Sequence, residues 1–214
     1  MHYTVKEIVN ILWLPLVIFD VALYVLLKYT SFYAWLLGKA GEFHVKNELK
    51  KLPAHYIVLN DIMIATGDKT TQIDHIVVCP SGIFVIETKH YHGMIHGSDN
   101  YEYWRQYLGK KRFFQFYNPT RQNYGHILAL SNALQLPIEK FTSIVCFTAP
   151  VKLNVQSRSQ VIYLRDLLST LTKYQDTIID HQETIANAIQ QLNITDPQAR
   201  RQHKQSLKVS HSKN

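Results

Sequence analysis

The clearest hydrophobic pattern in the chain is a pair of short apolar runs separated by a turn. Residues 73–78 and 83–86 are rich in β-branched side chains, and the sequence Cys-Pro-Ser-Gly lies between them. Runs of this length around a proline and a glycine are typical of buried strands joined by a short connection. The pattern therefore predicts a β-hairpin.

The register of this hairpin decides where its acidic residues lie. A four-residue loop sets Val78 opposite Ile83, and counting outward then brings Asp74 opposite Glu87. Pro80 cannot adopt the positive φ of a tight two-residue turn, and a three-residue turn would shift the pairing by one and aim Asp74 at the other face. The four-residue loop is the prediction that the chemistry considered below requires.

The remaining patterns extend the hairpin into an α/β arrangement. Val45, Leu49 and Leu52 have helical spacing after Gly41, and this helix ends before Pro53. The later segments predict a strand at 56–60, a second hairpin at 101–116, a helix entered at Pro119 and a strand at 143–148. The resulting core order, helix-strand-strand-strand-helix-strand, predicts a mixed sheet with helices packed on it.

The N-terminal segment is apolar over about the length of a membrane-spanning helix. Residues 8–27 contain one charged residue, Asp20, and roughly 20 apolar residues cross a bilayer. We interpret the segment as a single-pass membrane anchor followed by a short aromatic connector, and Asp20 leaves open a helix that lies on the membrane or packs on the domain. Lys28 and Lys39 follow the segment and Lys6 alone precedes it, which predicts the domain on the cytoplasmic side of the cell (inner) membrane.

The charge of the chain favours polyanionic partners, but it is unevenly distributed. The formal net charge is +7, and residues 195–214 hold five basic residues against one acidic residue. This stretch lacks apolar periodicity and is predicted to be a basic, disordered tail, either a plain soluble terminus or a phosphate or lipid contact. No glycine-rich phosphate loop or paired cysteine motif occurs in the sequence, which argues against a fused ATPase or zinc module.

Candidate chemistry lies at the end of the first hairpin, in the unit Glu87-Thr88-Lys89. Side chains alternate along a strand, so Glu87 and Lys89 share one face and Thr88 points to the other. With Asp74 opposite Glu87, two carboxylates and an ammonium converge, and the carboxylate oxygens suit Mg²⁺ or Mn²⁺. The alternative is that both acids end strands at the solvent edge and Lys89 forms a surface ion pair.

Several spaced motifs around this unit resemble the nuclease-related domain family, a branch of the PD-(D/E)XK nuclease superfamily. They are GEFHVKNELKKL, QIDHIVV, SGIFVIETKHYHGMIHG and NPTRQN, and the similarity covers residues 39–150. The resemblance implies a restriction-endonuclease-like fold and a metal-dependent nuclease, with DNA as the default substrate over RNA by family analogy. Many enzymes of this superfamily dimerise, so a homodimer stays open.

The resemblance also implies roles for individual residues. Asp74 and Glu87, with the main-chain carbonyl of Thr88, would hold Mg²⁺ or Mn²⁺ as the metal ligands. Lys89 would orient the attacking water, or help to deprotonate it, and would offset charge on the phosphate.

Two further site residues follow only from the resemblance. Glu42 would be a third site acid, and Gln122 would steady the substrate or a water molecule. Without the resemblance, Glu42 is better explained as favourable charge at a helix N-terminus, and Gln122 as a helix-start residue that bonds to the backbone.

The second predicted hairpin is rich in aromatic and basic side chains. Such a ribbon can stack bases and bind phosphates, although an ordinary half-buried hairpin has the same composition. The candidate nucleic-acid contacts are Arg105, Lys110, Lys111 and Arg112.

The predicted organisation has four parts. They are an N-terminal anchor at 1–30, a nuclease-related core at 39–150, an αβ extension at 151–192 and the tail at 195–214. Two rivals to the nuclease remain: a catalytically silent nucleic-acid-binding or membrane-associated scaffold, and a metal-dependent hydrolase of nucleotides or lipid phosphates.

Overall fold

The chain begins with one long helix, α1 (Val5–Leu49). The computed structural model describes residues 5–109 and 112–211, and within them the side chains of residues 5–12, 14, 27–31 and 207–211 are not described. The expected connector between the anchor and the domain is itself helical. Residues 28–40 contain no proline and one glycine, so nothing in them breaks the helical backbone hydrogen bonds.

Contacts divide the chain into two compact units, Met1–Ala40 and Gly41–Asn214. In the part of the chain that is described, no helix has both the length and the apolar character to cross a membrane. The predicted anchor at residues 8–27 gains no support from this result, and it includes side chains outside the described set.

Nine strands and four further helices follow α1 in the described residues. The strands are β1 (Ile57–Thr66), β2 (Lys69–Cys79), β3 (Gly82–Lys89), β4 (Gly93–Ser98), β5 (Tyr103–Leu108), β6 (Arg112–Tyr117), β7 (Phe141–Phe147), β8 (Val151–Gln156) and β9 (Gln160–Tyr163). The helices are α2 (Pro119–Leu134), α3 (Leu167–Thr172), α4 (Gln182–Leu192) and α5 (Pro197–His211). The predicted core order is confirmed by α1, β1, β2, β3, α2 and β7.

The first sheet has five strands in the order β1-β2-β3-β7-β9. Strands β1 to β3 are antiparallel, whereas β3, β7 and β9 run parallel. Leu130 of α2 and Ile189 of α4 belong to the buried cluster on one face of the sheet. Leu49 of α1 and Leu171 of α3 belong to the cluster on the other face. Both faces are therefore covered, and polar groups in the central strands are withdrawn from water.

The predicted register of the first hairpin is confirmed, because Val78 pairs with Ile83. The pairing extends one step further than predicted, so only Pro80 and Ser81 lie outside the strands. The connection can be this short because Gly82, with φ of 135°, supplies the positive φ that Pro80 cannot adopt.

The second sheet has four strands in the order β6-β5-β4-β8. Its strands β4 to β6 are inserted between β3 and α2, and the antiparallel pair β5–β6 is the predicted second hairpin. Lys110 and Lys111 lie in the connection of this hairpin, outside the described residues. With two mixed sheets and helices on the first, the architecture is mixed α/β and consistent with the restriction-endonuclease-like fold.

The C-terminal segment forms helix α5, so the prediction of a disordered tail is wrong. Arg200 Nη1 donates to Asp61 Oδ2 at 2.8 Å, and His203 Nδ1 lies 2.8 Å from Thr70 Oγ1. These partners are 139 and 133 positions away in the sequence. Tertiary contacts of this range order a segment whose own pattern predicts no structure.

Candidate active site

The two acids of the first hairpin lie just beyond its last ladder pair, His75 with Ile86. The next residues across from each other are Asp74 and Glu87. The Asp74 carboxylate accepts a hydrogen bond at Oδ2 from the Thr88 backbone N–H, at 2.9 Å. The structure therefore brings the predicted acids together at the end of β3.

Glu87 is 3% exposed and has a cationic or polar partner on each carboxylate oxygen. Lys89 Nζ is 2.8 Å from Oε1, and His126 Nε2 is 3.2 Å from Oε2. Burial alone would raise the pKa of Glu87, but the charge of Lys89 and the contacts of His126 outweigh it and lower the pKa to about 2. Glu87 is therefore ionised at neutral pH.

Lys89 is held at the same place by its own contacts. Its ammonium donates to Gln122 Oε1 at 3.1 Å in addition to the ion pair with Glu87. Burial would lower the pKa of Lys89, but the Glu87 carboxylate, followed by Tyr91 and Asp74, raises it. Lys89 therefore stays cationic and cannot serve as a strong base.

The pKa of Asp74 is shifted in the opposite direction to the pKa of Glu87. Burial, followed by the negative charges of Glu87 and Glu42, raises the pKa of Asp74 well above its usual value. The Thr88 N–H and Lys89 act in the other direction but do not outweigh these effects. Asp74 is thus the carboxyl group that would gain most from added positive charge.

Glu42 approaches these groups because Gly41 lets α1 pack closely on the end of β3. A Cβ at Gly41 would lie 2.9 Å from Thr148 Oγ1 and 3.1 Å from His90 Cβ. Gly41 has no Cβ, so it permits this close packing. Glu42, the next residue, then lies near enough for its negative charge to raise the pKa of Asp74. Glu42 acts on Asp74 through its charge, and its role as a third site acid stays a prediction.

Helix α2 supplies the other side of the candidate site. Asn118 caps its N-terminus by accepting hydrogen bonds from Thr120 N and Arg121 N, and Pro119 stands at the first turn. One turn later Gln122 contacts Lys89, and after a second turn His126 contacts Glu87. The helix thus positions two side chains that contact β3.

Sequence reasoning missed two residues of α2. His126 bridges Glu87 and Thr71, with Nδ1 at 2.7 Å from Thr71 Oγ1. Asn123 is fully buried and donates to the main-chain oxygens of Val85 and Ile144. The available signal was spacing, since His126 follows Gln122 by four residues and therefore shares its helix face.

Arg105 and Arg112, two of the predicted nucleic-acid contacts, are not part of this group. Arg105 and Arg112 are exposed residues of β5 and β6 in the second sheet, and the Arg105 guanidinium lies 5.4 Å from the centre of the Phe113 ring. Lys110 and Lys111 lie outside the described residues.

The donors present fit a hard divalent cation by their chemistry. Within the described residues, no group of three or more His, Cys, Asp or Glu is arranged to hold a metal ion. The predicted donor set is different, consisting of two carboxylates and the Thr88 main-chain carbonyl. Burial, followed by the negative charges of Glu87 and Glu42, raises the pKa of Asp74, and an added cation would stabilise its ionised form.

Comparison with known proteins gives a family and a relative. The model of the nuclease-related domain family matches residues 37–148. An uncharacterized protein of Bacillus anthracis is 38% identical over 184 residues, which are 82% of this chain and 84% of that protein. No solved structure matches the chain significantly. The chain belongs to the nuclease-related domain family, within the PD-(D/E)XK-like nuclease superfamily.

Proposed function

We propose that the chain is a metal-dependent nuclease that hydrolyses phosphodiester bonds in nucleic acid, with DNA preferred over RNA. The observation that carries the proposal is the convergence of Asp74, Glu87 and Lys89 at the end of β3, with Lys89 Nζ 2.8 Å from Glu87 Oε1. Family membership supports nucleic acid as the substrate class, because the family is nuclease-related.

Asp74 and Glu87, with the main-chain carbonyl of Thr88, are the groups that would hold Mg²⁺ or Mn²⁺. Domains of this superfamily typically use divalent metals. When bound, such an ion polarises a phosphoryl oxygen and lowers the pKa of a bound water molecule. A bound cation would stabilise the ionised forms of both Glu87 and Asp74, and the raised pKa of Asp74 means that its ionised form is disfavoured in the absence of the cation.

Lys89 acts as a cation in this proposal. Because its pKa is raised, the ammonium keeps its protons at neutral pH, where it orients the attacking water and offsets charge on the phosphate. Gln122 accepts from Lys89 at Oε1, and its amide nitrogen is the donor proposed to steady the substrate or water.

His126 is proposed as a positioning residue. It contacts one oxygen of Glu87 while Lys89 contacts the other, so the carboxylate is held ionised and in one orientation. Thr71 fixes the imidazole from its other nitrogen. A rigid and charged Glu87 suits a site that must present oxygen ligands in a fixed geometry.

The test is a cleavage assay with the full-length chain on circular, linear and single-stranded DNA and on RNA. Each substrate is incubated with Mg²⁺, Mn²⁺ or EDTA, using wild type, Lys89→Ala and the exposed control Lys173→Ala. We expect metal-dependent cleavage that Lys89→Ala lowers by about 100- to 1,000-fold and Lys173→Ala leaves unchanged. Absence of cleavage by folded wild type on every nucleic acid would favour the silent scaffold, and turnover of a small phosphodiester alone would favour the hydrolase.

Tethering to a membrane through residues 8–27 is a separate proposal, with the unit Gly41–Asn214 on the cytoplasmic side. It is supported by the exposure of the described large apolar side chains between Trp13 and Leu26, which ranges from 37% to 66%. Apolar surface of this extent on one segment is typical of a contact with lipid or protein.

A further inference from the structure

The second sheet has one face turned to the core and one turned to solvent. Its strand β8 shows this by alternation: Lys152 and Asn154 are exposed, whereas Val151, Leu153 and Val155 pack against the buried cluster that contains Ile95 and Trp104. Residues paired across strands share a face, so the register identifies the outward residues of all four strands. These outward positions form three rows, which we call the outer face.

The first row is aromatic and ends at a lysine. The register aligns Phe113, Tyr107, Met94 and Lys152 across β6, β5, β4 and β8. The Tyr107 and Phe113 rings are 5.7 Å apart, tilted by 37°. Phe113 is 51% exposed, so one side of this ring pair is open to solvent.

The second row adds positive charge beside these rings. It contains Gln115, Arg105, His96 and Asn154 in register. The Arg105 guanidinium lies 5.4 Å from the centre of the Phe113 ring, which is a cation–π distance. The His96 ring stands 5.3 Å from Tyr107, so the two rows form one continuous aromatic and cationic surface.

The third row repeats the aromatic and amide composition. Tyr103 and Tyr117 pair across β5 and β6 with their rings 6.0 Å apart, and Ser98 and Gln156 pair across β4 and β8. None of the described residues in the three rows is Asp or Glu, and none is buried.

The nearest acid along β4 is already engaged. Asp99 follows the last residue of the strand, and its carboxylate accepts hydrogen bonds from Ser157 Oγ and Arg158 N at 2.7 Å each. A polyanion on the outer face therefore meets aromatic rings, amides and cations without a carboxylate in the rows.

The outer face adjoins the candidate active site along the chain. Strands β3 and β7 end beside each other at Lys89 and Phe147, and β4 and β8 each begin after a three-residue connection. The two connections run together, since Thr148 N donates to the Lys89 carbonyl at 3.0 Å. The row of Phe113 and Lys152 is the one next to these connections.

We propose that the outer face binds single-stranded nucleic acid, with bases stacked on the exposed rings and phosphates held by Arg105 and Lys152. Unstacked bases can cover separate aromatic rings on a flat sheet, whereas the bases of a duplex are stacked on one another and turn only their edges outward. The charge of the face is complementary to the phosphate backbone. The inference rests on the proposed nuclease function and specifies its substrate as single-stranded.

The chain offers a matched pair of variants on one strand. Phe113 and Phe114 are adjacent in β6 and 51% and 55% exposed, but only Phe113 lies on the outer face. Binding of full-length protein to labelled single-stranded DNA, single-stranded RNA and duplex DNA is followed by fluorescence anisotropy in EDTA. Phe113→Ala, Phe113→Tyr and Phe114→Ala are compared with wild type.

We expect single strands to bind more tightly than duplex, and Phe113→Ala to weaken that binding by roughly 5- to 150-fold. Phe113→Tyr keeps a ring and retains the affinity, and Phe114→Ala leaves it unchanged. The DNA and RNA arms show which sugar the face accepts. Equal effects of the two alanine variants, no effect of either, or tighter binding of duplex would overturn the proposal.

The assay separates this inference from the proposed activity, because EDTA removes metal-dependent cleavage from the readout. Ring-dependent binding by a protein that cleaves nothing would uphold the outer face and reject the nuclease. Cleavage without ring-dependent binding would uphold the nuclease and reject the outer face as the binding surface.

Discussion

Asp74 and Glu87 are neighbours with opposite pKa shifts, and the sign of each fixes its effect on stability. The pKa of Asp74 is raised in the folded state, so this group makes the folded protein less stable as the pH rises above 3.8, the usual pKa of an aspartate. The folded-state pKa of Glu87 is lowered to about 2, so its contribution is present above 4.5 and lost as pH falls toward 2.

Replacing Asp74 by asparagine is expected to stabilise the protein at neutral pH in EDTA. The amide keeps an oxygen to accept from Thr88 N but removes a carboxyl group that its neighbours disfavour in the charged form. We expect a gain of about 1 kcal/mol or more in the free energy of unfolding. The gain should shrink as pH falls toward 3.8, where the unfolded chain also becomes protonated.

Urea denaturation over a pH series measures this difference. Asp68→Asn, in an exposed turn, is the matched control and is expected to change little. The explanation of the raised pKa of Asp74 would be wrong if Asp74→Asn were less stable than wild type. It would also be wrong if the difference in their free energies of unfolding did not vary with pH.

Gly41→Ala is expected to destabilise the protein by roughly 1–3 kcal/mol, because the new Cβ would lie 2.9 Å from Thr148 Oγ1. It should also reduce cleavage, since Glu42 is the next residue. Gly125→Ala in α2 is the control: outside its chain neighbours and the nearby backbone of its own helix, no atom lies within 4 Å of the new Cβ, and helix propensity predicts a gain of about 0.5–1 kcal/mol. Thermal denaturation measures the stability of both variants. If Gly41→Ala were as stable as Gly125→Ala, the close packing at Gly41 would be refuted.

The sequence was sufficient to predict that Glu87 and Lys89 share a face, because strand alternation is a local rule. The structure adds that they form an ion pair and that His126 completes it. That contact joins residues 39 positions apart and depends on how α2 packs against β3. The spacing of Gln122 and His126 places them on one helix face, but it does not show that this face contacts Glu87.

Helix α2 is fixed to the first sheet by Asn123. Its amide nitrogen donates to Val85 O at 2.8 Å, Ser143 Oγ at 2.9 Å and Ile144 O at 3.2 Å. The residue before it, Gln122, contacts Lys89. The same turn of helix therefore anchors α2 to β3 and β7 and presents a side chain to the candidate site.

Asn123→Ala should cost roughly 1–3 kcal/mol of stability, because it leaves buried acceptors without this donor. It should also lower cleavage by releasing the turn that carries Gln122. Asn132→Ala, exposed on the same helix, is the control and should affect neither property. Chemical denaturation gives the first readout; equal stability of the two variants would argue against the anchor.

In the β2–β3 hairpin, the sequence pattern predicts the strands and their register but not the length of the connection. The two apolar runs and the turn residues between them were enough to predict the β2–β3 register, in which Val78 pairs with Ile83. The length of the connection was less accessible, since it depends on the positive φ of Gly82. The continuous α1 was missed because a change from apolar to aromatic composition resembles a boundary without interrupting the backbone.

Across the chain, the core order and the β5–β6 hairpin were predictable, whereas the assembly of the second sheet and helix α5 were not. The second sheet requires β4 and β8, which are far apart in sequence, to pair in parallel. Helix α5 requires Arg200 and His203 to meet Asp61 and Thr70. These pairings are set by the folded core, so they cannot be inferred from periodicity within the segments.

Membrane tethering makes a prediction for the full-length chain. Liposome flotation should carry wild type to the top of a density gradient, and a variant with Ile18→Asp and Phe19→Asp should stay below. Both side chains are exposed, at 59% and 64%, so the charges should not disturb packing. Protease accessibility of the unit Gly41–Asn214 in sealed vesicles reports its side. Wild type that does not float would rule out the tether.

The most direct test of the nuclease is the rate of Mg²⁺-dependent nucleic-acid cleavage by Asp74→Asn relative to wild type, with the stability of each sample measured alongside. We expect Asp74→Asn to be at least as stable as wild type in EDTA and to cleave at a rate lower by about 100-fold or more. A stably folded Asp74→Asn protein that cleaves at the wild-type rate would contradict the assignment of the active site.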